Sequence, residues 1–186
     1  MNPDAMPSHS SDPDSELNQS WSERDWGWRQ FVNRLRTTEK RDILIQTLLD
    51  HLQQTLQVDR VVIYYFYRPW QGQVTFESLS DPQLSIYGST GADECFNDEY
   101  AQFYLNGRIQ AIADIETASI HPCHQEFLRS LEIYANLVVP IIINHQLWGL
   151  LIAHDCHHSR IWHSSDIETM KAAAHTVSSN LKSEDE

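Results

Sequence analysis

The chain has 186 residues, a formal net charge of −13 and only 13 Lys and Arg, enough length for one domain with additions and a sizeable core. The scattered cations exclude a nucleic-acid binder, which takes its affinity from clustered Lys and Arg, and the acidic surplus confers solubility. No uninterrupted apolar run reaches spanning length, since even 137–153 is broken by Asn144-His145-Gln146, and residues 1–20 hold no apolar core of signal-peptide type.

No membrane attachment is therefore expected. Three cysteines without a disulfide framework fit a reducing, cytoplasmic setting.

Residues 1–20 are rich in Ser, Pro, Asp and Asn and read as a disordered lead. Over 21–37, Trp28, Phe31 and Leu35 recur at three- and four-residue steps behind a Ser22 cap, the pattern of an amphipathic N-terminal helix. Leu44, Leu48, Leu52 and Leu56 form an i, i+4 ridge, widened by Ile45 and Leu49, on a helix that starts near Thr38 and stops before Val58. Residues 58–67 are β-branched and aromatic on both alternating faces, as in a central strand covered on both sides. A turn at 68–73 and an outer strand at 74–79 complete an antiparallel hairpin.

Residues 80–91 are loop-like, with a short strand expected at 84–87. A helix is expected over 96–107, ended by Gly107, then a short strand at 109–115 and a short helix at 124–131. A second hairpin pairs 137–143 with 146–153 across Asn144-His145. Pro140 has no donor and must sit at an edge or a bulge. Ile167, Met170, Ala174, Val177 and Leu181 mark one face of a closing helix over 166–181, and 183–186 form an acidic tail. The order predicts an α+β domain: a central antiparallel sheet with the terminal helices on one face and the helical insert on the other.

The chemistry concentrates between Gly91 and His124. Asp93 stands two residues before Cys95 and Phe96 directly after it; Cys123 is followed by His124. The two cysteines lie too far apart in sequence for a Cys-x-x-Cys pair or a simple zinc knuckle. A thiolate beside an imidazole is a nucleophile able to add to an electrophilic double bond. Read alone, Cys123 is equally a half-buried structural cysteine, Cys95 a small hydrophobe opening a helix, and Asp93 the cap of that helix. Arg108 is either a carboxylate-binding fork or a solvated surface residue, and His154 closes a strand as a ligand contact or a core histidine. Cys156-His157-His158 with His163 matches no common zinc spacing, so no metal is expected.

In order, Asp93-x-Cys95-Phe96, Cys123-His124, Ala135-Asn136-Leu137-Val138-Val139-Pro140 and Leu151-Ile152-Ala153-His154 resemble the bilin-binding GAF domain of a cyanobacteriochrome, in its two-cysteine Asp-Xaa-Cys-Phe branch, over residues 38–182. The resemblance implies a photoreceptor module rather than an enzyme. Cys123 would form the thioether to phycocyanobilin, or to its isomer phycoviolobilin. His124 would pack against the bilin, Asp93 would accept from its pyrrole N–H groups, and Phe96 would flank the second thiol. Cys95 would add reversibly to the central methine bridge, giving a violet- or blue-absorbing form. C15=C16 Z/E isomerisation would release it to a green- to orange-absorbing form. His154 would stand near ring D, and Arg108 would pair with a propionate. Tyr134 stands where relatives often carry a basic residue. The resemblance also implies a signalling output domain or protein as partner, and the apolar terminal helices suit a homodimer. A GAF-fold free methionine sulfoxide reductase is the alternative, which requires Cys95 and Cys123 to approach within roughly 4.4–6.8 Å between Cα atoms.

Overall fold

A computed structural model describes residues 37–68, 71–91 and 98–182. The lead over 1–20, the helix expected over 21–36, the tail over 183–186, and Asp93, Cys95 and Phe96 lie outside the described residues. Two units divide after residue 40. Within the first, the described residues are the opening turn of helix α1 (37–56); the second carries everything that follows.

The buried stripe of α1 is Ile45, Leu49, Leu52 and Leu56, while Leu44 is exposed. The expected ridge from Leu44 is thus rotated. A strict four-residue step drifts about 40° around a 3.6-residue helix each time, whereas alternating four- and three-residue steps stay on one face. Gln57, at φ 50°, ends the helix.

Five strands follow: β1 (Arg60–Arg68), β2 (Gln71–Leu79), β3 (Gln110–Ile112), β4 (Ala135–Ile143) and β5 (Gln146–Asp155). They form one sheet in the order β2-β1-β5-β4-β3, and every neighbouring pair is antiparallel. The central strand is therefore β5. β1 lies beside the edge, buried over its first four residues and exposed at its last two. Asn144 and His145, at φ 49° and 63°, make the two-residue β4–β5 turn, whose left-handed backbone matches the twist of the strands. Pro140 sits as expected at an open edge. β3 pairs with Asn136–Val138, and among the described residues β4 has no outer partner beyond that point.

Side chains alternate across a strand, so one register creates two different surfaces. Val61 and Ile63 of β1, Leu137, Val139 and Ile141 of β4, and Leu151 and Ala153 of β5 join α1 and the closing helix α4 (Ser164–Lys182) in the main core. Val62, Tyr64 and Phe66, Asn136 and Val138, and Leu150, Ile152 and His154 point the other way. A bulge at Thr75, between the pairs Ile63–Phe76 and Tyr64–Val74, shifts β2 by one residue. Val74 then borders the second face while Phe76 packs against the helical one.

Over that second face lies the connection between β2 and β4. It holds α2 (Asp98–Leu105), α3 (Pro122–Ser130) and a 3-10 turn at Pro82–Leu84. The strand expected at 84–87 is absent. Pro82 presets the turn and Asp81 caps it, accepting from the Gln83 N–H at 2.9 Å. The helix after Cys123 starts earlier than expected, because His121 caps it and Pro122 occupies its first turn. Among the described residues no helix is long and apolar enough to cross a membrane.

Candidate ligand-binding cleft

The second face of the sheet and the α2–α3 connection leave a concave, mostly apolar cleft with about 100 Å³ of free space, the kind of surface small molecules and cofactors occupy. Its sheet wall is Val62, Tyr64, Val138, Leu150 and Ile152, and Phe127, Leu128 and Leu131 cover it from α3 and its cap. Tyr104 of α2 closes one side, donating from Oη to Oε1 of buried Gln110 at 2.9 Å. At the mouth, the Gly91 N–H donates to Tyr64 Oη at 2.8 Å. A Cβ at Gly91 would lie 2.9 Å from that oxygen, so the close approach needs glycine.

Three polar side chains enter this apolar space. His124, on the first turn of α3, lines it, and its Nε2 is buried with no partner among the described residues. Burial, and then the nearby charge of Arg108, hold its pKa below the ordinary histidine value. Asn136 of β4 is buried, and its Oδ1 has no partner among the described residues. His154, its direct partner across β4–β5, is 3% exposed, and its Nδ1 accepts from Arg60 Nε at 3.0 Å. Burial first, and then the Arg60 charge, push the His154 pKa well down. Buried polar groups are normally satisfied, so unmet ones gathered in a cavity mark where a ligand completes the bonding.

Cys123 precedes His124 on α3. Its N–H donates to His121 Nδ1 at 3.3 Å, and its sulfur is disulfide-bonded. The partner sulfur lies outside the described residues. This departs from the expectation of reduced cysteines, because sequence separation does not limit which thiols the fold brings together. Cys156 is free and buried, and burial raises its pKa to about 11, which leaves it an inert thiol. Arg108 lies over the Phe103 ring, 5.2 Å from its centroid, and borders a separate groove. Tyr134 is 47% exposed. No group of three or more His, Cys, Asp or Glu suited to a metal occurs among the described residues; His157 instead bonds Asp59 Oδ2 through Nδ1 at 2.9 Å.

The family pattern described as "GAF domain" matches residues 41–181. The chain belongs to the GAF domain family. This GAF domain is 51% identical over 149 residues to an uncharacterised protein of Picosynechococcus sp., covering 80% of this chain and 91% of that one. It is 34% identical over 160 residues to the circadian input-output histidine kinase CikA of Synechocystis sp., covering 74% of this chain but only 21% of the kinase. Among solved structures it resembles the blue-light absorbing form of the Thermosynechococcus elongatus PixJ GAF domain, with a TM-score of 0.71, 36% identity, and coverage of 77% of this chain and 86% of that chain.

The motifs led to His124 and His154 but not to Arg60 or Asn136, although Asn136 lies inside one of them. A signal for Arg60 was present: it shares strand parity with Val62 and Tyr64, so the residue opening β1 had to enter the same face.

Proposed function

We propose that this GAF domain is a photosensory module that binds a linear tetrapyrrole, phycocyanobilin or its isomer phycoviolobilin, through a thioether to Cys123. The observation that carries this reading is the cleft itself: an apolar slot lined by His124, the residue after Cys123, with unmet polar atoms on His124 and Asn136 inside it. A flat conjugated ligand with pyrrole N–H and carbonyl groups has the matching chemistry. The likeness to PixJ, itself described as a cyanobacteriochrome GAF domain, supports the same class.

Attachment needs the thiolate, because a disulfide sulfur already holds two covalent bonds and could not form a neutral thioether to the ethylidene carbon until the S–S bond is cut. Reduction therefore precedes binding. The first turn of α3 would then favour the thiolate, as helix N-termini lower thiol pKa values. His124 would pack against the bilin, with Arg108 on a propionate and His154 near ring D. The Asp-Xaa-Cys-Phe branch supplies the colour change: Asp93 accepts from pyrrole N–H groups, and Cys95, flanked by Phe96, adds to the central methine bridge and shortens the conjugation. Isomerisation at C15=C16 releases it, and the signal passes to an output domain or protein, as in relatives that are much longer chains. A cytoplasmic setting and a homodimer through the terminal helices fit this role.

Coexpression with a phycocyanobilin pathway tests it. The reduced protein should become covalently coloured and photoconvert, Cys123→Ala should lose the adduct, and Cys95→Ser should keep bilin but lose the violet-to-blue form. The disulfide at Cys123 also favours a second reading, a free methionine sulfoxide reductase, for which such a bond is the oxidised product. A colourless protein that consumes methionine sulfoxide with a thiol reductant would establish that reading instead.

A further inference from the structure

Arg60 is the largest fully buried side chain among the described residues, 1% exposed. No described carboxylate bonds it. Its Nη1 donates to the Leu84 carbonyl at 2.5 Å and its Nη2 to the Leu131 carbonyl at 2.9 Å. These carbonyls belong to the 3-10 turn and to the cap of α3, so they fix the guanidinium plane from two sides. Its Nε–H reaches His154 Nδ1, and Arg60 and His154 are direct cross-strand partners on the cleft face.

The chemistry of this contact runs one way. Arginine stays protonated and offers only donors, so Nδ1 must present its lone pair. A neutral imidazole carries one proton, which then sits on Nε2. A doubly protonated ring would set N–H against N–H and two cations 3.0 Å apart. No described residue bonds Nε2, and His154 lines the cleft.

We propose that Arg60 is a positioning residue of the cleft: it holds His154 as the Nε2–H tautomer, so that this wall offers a fixed donor to a carbonyl-type acceptor on the ligand. For a tetrapyrrole that acceptor is a terminal lactam oxygen. The ligand assignment rests on the chromophore reading; the tautomer does not. A side chain that only tied the connection to the sheet would not need its Nε–H on an imidazole.

Two measurements test this. In 15N-labelled reduced apoprotein, long-range 1H–15N correlation should find the His154 proton on Nε2 alone, and Arg60→Met should release a mixture with the Nδ1–H form. In phycocyanobilin-loaded protein, Arg60→Met and His154→Leu should displace the long-wavelength absorption maximum in the same direction. His154→Gln should retain it, because the amide oxygen accepts from Arg60 while the amide NH₂ donates into the cleft. A wild-type proton on Nδ1 overturns the proposal, as does an Arg60→Met protein with unchanged His154 signals and spectrum. If Arg60→Met does not fold, the wild-type tautomer and the contrast of His154→Gln with His154→Leu decide, and Gln behaving like Leu overturns it. A colourless wild type with the proton on Nε2 supports Arg60 in its role and defeats the chromophore reading instead.

Discussion

Leu150 and Leu151 are neighbours on β5, yet they face two different solvents. Leu151, fully buried, packs with Val61, Ile63, Leu137 and the helices α1 and α4 in a face made of apolar side chains. Leu150, 6% exposed, borders the cleft with His124, Asn136 and His154. The helical face is closed by apolar packing, with Thr75 Oγ1 at its margin; the cleft face carries a buried cation, a neutral imidazole and unpartnered polar atoms. A single pleat thus divides the labour. One surface supplies stability, and the other spends some of it on groups awaiting a ligand.

The largest test of that division is Cys123→Ala, which should abolish covalent pigment, read by zinc fluorescence on a denaturing gel, while leaving the thermal melting of the apoprotein nearly intact. Wild-type protein kept oxidised should fail to take up pigment in the same way and recover on adding a thiol reductant. Next, Leu151→Ala should cost about 3–5 kcal/mol in urea unfolding, as buried Leu truncations do when the surroundings cannot collapse. Leu150→Ala should cost about 2 kcal/mol, the transfer of its lost carbons alone, because the void is already there. Equal losses at the two positions would break the distinction.

A smaller effect concerns pH. His154 is held neutral in the fold, and its pKa lies well below the ordinary value, whereas the unfolded chain takes up a proton near pH 6.5. Stability should fall as pH drops below about 6.5, by up to about 1.4 kcal/mol per unit for this group, and stop falling once the folded pKa is passed. His124, also depressed by burial and Arg108, adds in the same window. Urea midpoints across pH should show this slope, and His154→Gln should flatten it.

The smallest effect has the opposite sign and sits on the outside of the molecule. The hydrogen bond and charge of Asp59 raise the pKa of His157. For Asp59, burial pushes the pKa up, but hydrogen bonds from His157, the Cys156 N–H and Ser80 outweigh it, and the carboxyl ends below its usual value. The His157 contribution is therefore complete below pH 6.5 and lost as pH rises through its raised value. His157→Ala should remove that decline and leave pigment binding untouched.

Much of the domain was legible in the chain. The hairpin over 137–153 and the closing helix follow from periods of 2 and 3.6, which covalent geometry imposes locally, and the order of elements set the terminal helices on the face opposite the insert. The misread stripe on α1 and the 3-10 turn at Pro82–Leu84 mark where periodicity alone is too coarse. One needs the phase of the helix against its neighbours, and the other a side-chain cap that outcompetes a strand. His124 and His154 were found because their motifs are local strings. Arg60 was missed because what gives it meaning lies on elements far away in sequence.

By itself, then, the sequence determined most of the helices and strands and the alternation of side chains along the paired strands. Tertiary structure alone decided that Arg60, His154, Leu84 and Leu131 meet, that a cleft opens above Asn136, and that the sulfur of Cys123 is disulfide-bonded. Periodicity is set residue by residue along the backbone. Those meetings are set by how strands pair and where the connection between β2 and β4 comes to rest, and no window of neighbouring residues contains that information.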